Sequence, residues 1–324
     1  MIVASTREGL MLRDMRAGYR SVKVRESRRR GWREDPLAFE TVFQEAEVHR
    51  VTTVGEAVEL LDRLGEEGGL LGGGTWILRA PLRSARLKRH YVTVRDVTEL
   101  TATATGDPVH LGALTTHADM GALEDGPGPL GALSEAARRS AFPAVRNVAT
   151  LAGNLVARPF PEADLVPALL AGEAVLELAH VGGRERLDVA AYLAQRDRRP
   201  SSELIVSISL PAPVGRHSWF ERLTVRHAAE YSLASVAVSL DVDAEGLVTE
   251  ARVAVGAVEE LPRRSEPAEA VLRGSALSTL PAARAGRAAA GALQPRDALD
   301  APGWYRQAVL PELLARACAR LAAG

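Results

Sequence analysis

An apolar run that ends in three consecutive glycines constrains this chain more than any other feature. Leu70-Leu71 leads directly into Gly72-Gly73-Gly74, followed by Thr75-Trp76-Ile77. Consecutive glycines weaken the interior of a helix or strand, so they place a sharp turn at the end of the apolar run. Backbone N–H groups in such a turn converge, and converged N–H groups bind anions. Thr75 adds a hydroxyl donor. The dinucleotide fingerprint G-x-G-x-x-G is not met, because its third glycine would fall at Ile77. Taken alone, the run leaves a tight turn and an anion cradle both open.

A second segment has the same character. Arg146-Asn147-Val148-Ala149-Thr150-Leu151-Ala152-Gly153-Asn154 combines small residues, a threonine and amides. Asn154 both donates and accepts, which suits a ribose or the polar edge of a planar heteroaromatic ring. Its own bland reading is a loop. The two segments lie about one subdomain apart, each after a β-like run.

The chain has 324 residues. At roughly 100–200 residues per domain, that predicts two domains. Residues 1–45 hold ten Arg/Lys against seven Asp/Glu without a long periodic segment, and are expected to be a poorly ordered extension. Beyond them the pattern is regular. Apolar spacing predicts a helix over 54–64, with Thr52 or Thr53 as N-cap and Gly68-Gly69 as the stop. Strands are expected at 51–54, 91–94, 109–113, 174–178, 203–211, 233–242 and 248–255, with a turn-and-strand segment at 97–100. Helices are expected at 133–137, 164–170, 266–290 and 304–323. Residues 145–156 fit neither template. The layout is α+β, with a first domain over 46–213 and a second over 214–324.

Several function classes are excluded. The single cysteine, Cys318, allows no internal disulfide, no Cys-ligated zinc and no iron–sulfur cluster built from this chain alone. The net charge of −1 offers no basic excess for nucleic acid. Neither G-x-x-x-x-G-K-[ST] nor G-x-S-x-G occurs, and the seven histidines form no H-x-x-x-H pair. No apolar run reaches the ~18–20 residues of a membrane span. Ser27-Arg28-Arg29-Arg30 is followed by no apolar stretch, so the cytoplasm is the expected location.

Together the two segments support a family resemblance. Residues 46–324 resemble the FAD-binding medium subunit of the molybdenum hydroxylases, the xanthine dehydrogenase and carbon monoxide dehydrogenase family. The family's first flavin motif, approximately A-G-G-T-D-L after an E-A-x-x-L-L helix, is matched by Glu56–Leu61 and Gly72–Ile77. Its second, approximately I-R-N-x-A-T-x-G-G-N-L…P-x-A-D-L, is matched by Val145–Leu155 and Pro161–Leu165. Val109–Thr116 is similar to its I-G-A-x-T-T segment, Glu203–Pro211 to its E-L-I strand, and Tyr305-Arg306 to its terminal Y-R.

The resemblance implies a p-cresol methylhydroxylase-type FAD domain in two subdomains, followed by a small α+β domain. It implies FAD held by Leu70, Leu71, Gly72, Gly73, Gly74, Thr75, Ile77, Ala149, Thr150, Gly153 and Asn154. Asp164 would reach the adenosine end, and Leu204 and Ile205 would pack on the flavin or adenine. It implies electron transfer from the [2Fe-2S] clusters of a small subunit, fed by a molybdenum-cofactor large subunit, to NAD or another acceptor, with no catalytic acid or base here. Trp76 replaces the usual Asp, Ala152 replaces the first glycine of G-G-N, the Asn154-to-Asp164 spacing is one residue longer, and Glu221 stands where relatives often carry lysine. Two alternatives stay open: a stand-alone flavin oxidoreductase of the same fold, and a scaffold subunit that has lost FAD.

Overall fold

The computed structural model describes residues 46–226 and 231–323, so the expected extension over 1–45 lies outside the described residues. Three sheets organise a mixed α+β architecture. The first is parallel, in the order β1-β3-β2, from β1 (Glu47–Arg50), β2 (Gly68–Leu71) and β3 (His90–Thr93). Helix α1 (Val54–Leu64) connects β1 to β2 and buries Val54, Ala57, Val58 and Leu61, its 3.6-period stripe. Thr53 caps it: its hydroxyl accepts from Glu56 N at 3.1 Å while the Glu56 carboxylate accepts from Thr53 N. The helix ends at Gly65, which has φ +52°. Gly68 and Gly69 therefore begin β2 rather than stop the helix.

The second sheet, ordered β4-β5-β8-β6-β7, is antiparallel throughout. It comprises β4 (Thr103–Ala104), β5 (Val109–Gly112), β6 (Val175–His180), β7 (Gly183–Asp188) and β8 (Leu204–Leu210). Between β5 and β6 run five short helices: α2 (His117–Gly121), α3 (Gly131–Arg139), α4 (Pro143–Arg146), α5 (Leu151–Val156) and α6 (Leu165–Ala171). Helix α7 (Val189–Gln195) follows β7. Residues 98–101 form a 3-10 turn, not a strand. Helix α5 is absent from the sequence reading because its residues are small and glycine-bearing. The Thr150 cap, whose hydroxyl accepts from Gly153 N at 3.1 Å, supplies what propensity does not.

The third sheet is β12-β11-β10-β9, from β9 (Arg216–Leu223), β10 (Ala234–Val242), β11 (Val248–Gly256) and β12 (Arg263–Arg264). The expected helix over 266–290 is two helices, α8 (Glu266–Leu272) and α9 (Thr279–Ala292), separated by Gly274 at φ +71°. The terminal one also divides, into α10 (Gly303–Ala308) and α11 (Leu310–Ala323), because Pro311 has no N–H to continue the ladder.

Alternation along β10 and β11 explains how the layers stack. Val236, Val238, Val253 and Val255 face a core formed with α8, α9 and α11. Ala237 and Ala254 face the opposite way, into a larger core shared by the first two sheets and α6. All seven residues of α6 are buried, as expected of a helix apolar all round and packed between layers. The contact is close: a Cβ on Gly256 would lie 2.5 Å from Pro167 Cγ. Arg306, fully buried, fastens α10 to this layer by donating to Leu233 O at 2.7 Å and to Asp300 at 2.5 Å. Among the described residues, no helix is long and apolar enough to cross a membrane.

Candidate functional site

The end of β2 and the start of α5 open onto one cavity of about 1660 Å³. Drug-sized ligands take pockets of roughly 300–1,000 Å³, so this one has room for a dinucleotide. Leu70, Gly72, Gly73, Gly74, Thr75, Ile77, Ala149, Thr150, Gly153, Asn154, Asp164, Leu204 and Ile205 all line it. Of the residues singled out, only Leu71 does not; it lies beneath the loop, and its carbonyl accepts from Val94 N at 3.3 Å.

The glycine run is held as a turn by Gly74, whose φ is +72°. Gly74 O then accepts from Leu78 N at 2.9 Å and starts the 3-10 helix Ile77–Arg83. Among the described residues, the backbone N–H groups of Gly72, Gly73, Gly74, Thr75 and Trp76 meet no protein acceptor. Orphaned N–H groups in a cavity wall need a partner, and five in succession form a cradle for an anion.

The second segment works differently. Leu151 N donates to Thr115 O at 2.9 Å, Ala152 N to Ala113 O at 3.1 Å and Gly153 N to the Thr150 hydroxyl. His117 N donates to Ala149 O at 2.9 Å. The segment is thus stitched to residues 113–117, and of its N–H groups that of Thr150 alone meets no acceptor among the described residues. It also offers side chains. Asn154 Oδ1 accepts from Leu165 N at 3.2 Å, which leaves the amide NH2 as a donor. The two segments meet at Gly73, where a Cβ would lie 1.8 Å from Val148 O. The missing side chain makes room for Val148 rather than for a ligand.

Asp164, 6% exposed, pairs with Arg222 and accepts from the Ser232 hydroxyl at 2.7 Å. Burial pushes its carboxyl above the ordinary range against the pull of Arg222 and Ser232.

Three features of the cavity escaped the sequence reading. The first is His117, 3% exposed. The Ser140 hydroxyl donates to Ala137 O at 2.8 Å and lies 2.6 Å from His117 Nδ1, so Nδ1 carries the proton and donates to Ser140. Nε2 is buried and meets no partner among the described residues. Burial pushes the ring's pKa down to about 4, so it is neutral at pH 7. The second is Arg196, 9% exposed, whose Nε meets no acceptor among the described residues. Burial and then the charge of Arg158 hold its pKa below the ordinary arginine value. The third is an aromatic ladder. Trp76 stacks on Phe160 at 4.4 Å, Phe160 meets Tyr231 edge-on at 5.4 Å, and the Arg83 guanidinium lies 3.8 Å over Trp76. His117 follows Thr115-Thr116 and Trp76 follows the glycine run, so both had a positional signal; the isolation of Arg196 has none.

Residues 41–213 match the model of the FAD binding domain in molybdopterin dehydrogenase, and residues 220–321 match that of the CO dehydrogenase flavoprotein C-terminal domain. The chain is similar to the carbon monoxide dehydrogenase medium chain of Hydrogenophaga pseudoflava, at 28% identity over 84% of this chain and 95% of that one. It is similar to the alpha subunit of the 6-hydroxypseudooxynicotine dehydrogenase complex of Paenarthrobacter nicotinovorans, at 28% over 83% and 91%. A solved carbon monoxide dehydrogenase from H. pseudoflava, lacking the Mo-pyranopterin moiety of its molybdenum cofactor, superposes with a TM-score of 0.77 at 29% identity. That match covers 86% of this chain and 97% of that one.

Proposed function

The chain belongs to the FAD-binding medium-subunit family of the CO dehydrogenase and xanthine dehydrogenase type of molybdenum hydroxylase, and on that premise we propose that it is the electron relay of such a complex. In this reading it takes electrons from a [2Fe-2S] partner subunit, itself fed by a molybdenum-cofactor subunit, and delivers them to NAD or another acceptor. Bound FAD supplies the redox chemistry, and this chain's residues bind, orient and shield it.

One observation carries the reading: five successive residues, Gly72 to Trp76, line a dinucleotide-sized cavity, and their N–H groups meet no acceptor among the described residues. They would hold the pyrophosphate as oriented dipoles, with no lysine required. The Asn154 amide NH2 would donate to a polar edge of the same ligand. Leu204 and Ile205, both buried, would form an apolar wall for a ring. Two lone-pair sites of Asp164 are taken by Arg222 and Ser232, and the rest remain able to accept from an adenosine hydroxyl. Neither departure at the motifs closes the cradle. Trp76 turns onto Phe160 and donates from Nε1 to Arg158 O at 3.2 Å, and Ala152 packs against the larger core.

The lone cysteine supports the division of labour. Cys318 is buried in the C-terminal core, so the iron–sulfur clusters of this reading belong to another chain. The test is purification of the chain alone and with its partners. The expected result is stoichiometric FAD, no substrate turnover alone, and flavin reduction by substrate only in the assembled complex. A colourless chain that binds no added FAD, or a yellow one that turns over substrate unaided, overturns the reading.

A further inference from the structure

Strands β1 and β3 run parallel with Glu47 directly opposite His90. His49 follows Glu47 by two residues, so the three side chains leave one face of the sheet. Nε2 of His49 lies 3.2 Å from Nδ1 of His90, and that same Nδ1 lies 3.6 Å from Oε2 of Glu47. One ligand atom from each residue falls within 4.8 Å of the other two. A single His–His hydrogen bond explains one of these approaches and not the convergence of all three.

The spacing is that of ligands around one ion. Zinc–nitrogen bonds of roughly 2.0–2.1 Å in a tetrahedral array set neighbouring donor atoms about 3.3 Å apart. Two imidazoles and a carboxylate, with the fourth corner open, are also a recognised zinc donor set. A fourth residue completes the arrangement. Glu67 Oε2 stands 4.0 Å from Nε2 of His90, the nitrogen that faces away from the cluster, and Arg89 lies 3.7 Å from that carboxylate. At that distance the carboxylate makes no hydrogen bond to the ring and acts on it by charge, which raises the basicity of a ligating histidine. None of the four acidic and imidazole groups lines the cavity.

We propose that Glu47, His49 and His90 bind a divalent transition-metal ion of the zinc class, through His49 Nε2, His90 Nδ1 and a Glu47 carboxylate oxygen, with the charge of Glu67 behind His90. The ion ties β1, which among the described residues pairs with β3 alone, to the centre of its sheet.

The test is titration of the tag-free, FAD-loaded chain with Co²⁺ as a spectroscopic probe for zinc. One equivalent is expected to give the intense visible bands of a tetrahedral ion, abolished by added Zn²⁺ and absent in His49→Gln and His90→Gln. Glu67→Gln is expected to keep the bands and weaken affinity roughly 10–100-fold. Flavin content is expected to be unchanged in all three variants. A spectrum that stays that of the hydrated ion overturns the proposal, as do wild-type bands in His90→Gln. Should His90→Gln not fold, Glu47→Gln and His49→Gln decide the matter: unaltered Co²⁺ affinity in both overturns it.

Discussion

Gly73 and Val148 are in backbone contact across the two motif segments. A Cβ built on Gly73 would lie 1.8 Å from the Val148 carbonyl oxygen and 2.8 Å from its carbon. The obstacle is backbone, held in turn by Ala149 O accepting from His117 N and by Leu151 N donating to Thr115 O. It cannot rotate away as a side chain would.

Gly73→Ala is therefore expected to separate the two segments. Overpacking costs roughly 1–3 kcal/mol, and a rigid backbone obstacle places this substitution at the upper end. The variant should purify without flavin and melt at lower temperature than the wild type stripped of flavin. Gly72→Ala is the control. Its Cβ would meet Leu114 Cδ2 and Thr150 Oγ1 at 3.5 Å, an ordinary contact, so the fold and melting temperature should be kept. Equal flavin retention in Gly73→Ala and wild type would show that the contact is dispensable.

His117 gives the flavin-free chain an acid sensitivity. Burial pushes its pKa to about 4, with the Thr150 backbone opposing and Arg146 adding to the effect, against 6.5 in an unfolded chain. Between these values the unfolded chain binds a proton that the folded chain refuses, so stability falls as pH drops from 6.5 towards 4 and is flat above that window. The difference is on the order of 3 kcal/mol. His117→Asn keeps a polar partner for Ser140 and does not titrate. Denaturation midpoints of the wild type should decline across this window, and those of His117→Asn should lack that part of the decline.

Asp164 joins the start of α6 to β9 through Arg222 and to Ser232. Arg222 is only 8% exposed. Removing one partner of a buried pair strands the other charge, at a cost of about 3–5 kcal/mol. Asp164→Ala is expected to lose that much in urea denaturation, and Asp164→Leu combined with Arg222→Met to recover most of it. A double variant no more stable than Asp164→Ala would place the loss in packing, not in the stranded charge.

What the sequence made legible follows from range of interaction. The glycine run and the Arg146–Asn154 segment were visible because glycine, threonine and asparagine declare local backbone and donor needs. Helix α1 was visible because its stripe and cap are local as well. Strand β9 was hidden because its buried positions include Arg216, Ser218 and Arg222. Polar residues spoil the alternation until their partners are known, and Asp241, on the neighbouring strand, and Asp164, more than fifty residues away in sequence, are those partners. The same holds for the site. That Leu151 N and Ala152 N are engaged by Thr115 and Ala113 depends on a tertiary contact, which composition does not show.

Arg196 lacks what Arg222 has. It is nearly as buried, no carboxylate among the described residues pairs with it, and the repulsion of the neighbouring Arg158 outweighs the attraction of Asp197. A charge left this way destabilises the empty protein and is relieved by an anion entering the cavity it lines. Arg196→Met should therefore act in opposite directions in the two states. The flavin-free chain should gain on the order of 1 kcal/mol, read as a higher melting temperature. Flavin affinity should fall about tenfold, the equivalent of roughly 1.4 kcal/mol, read by fluorescence titration. A variant that loses stability in both states would mean that the guanidinium acts through packing of its methylene stem, and one with unaltered affinity would mean that it does not face the ligand.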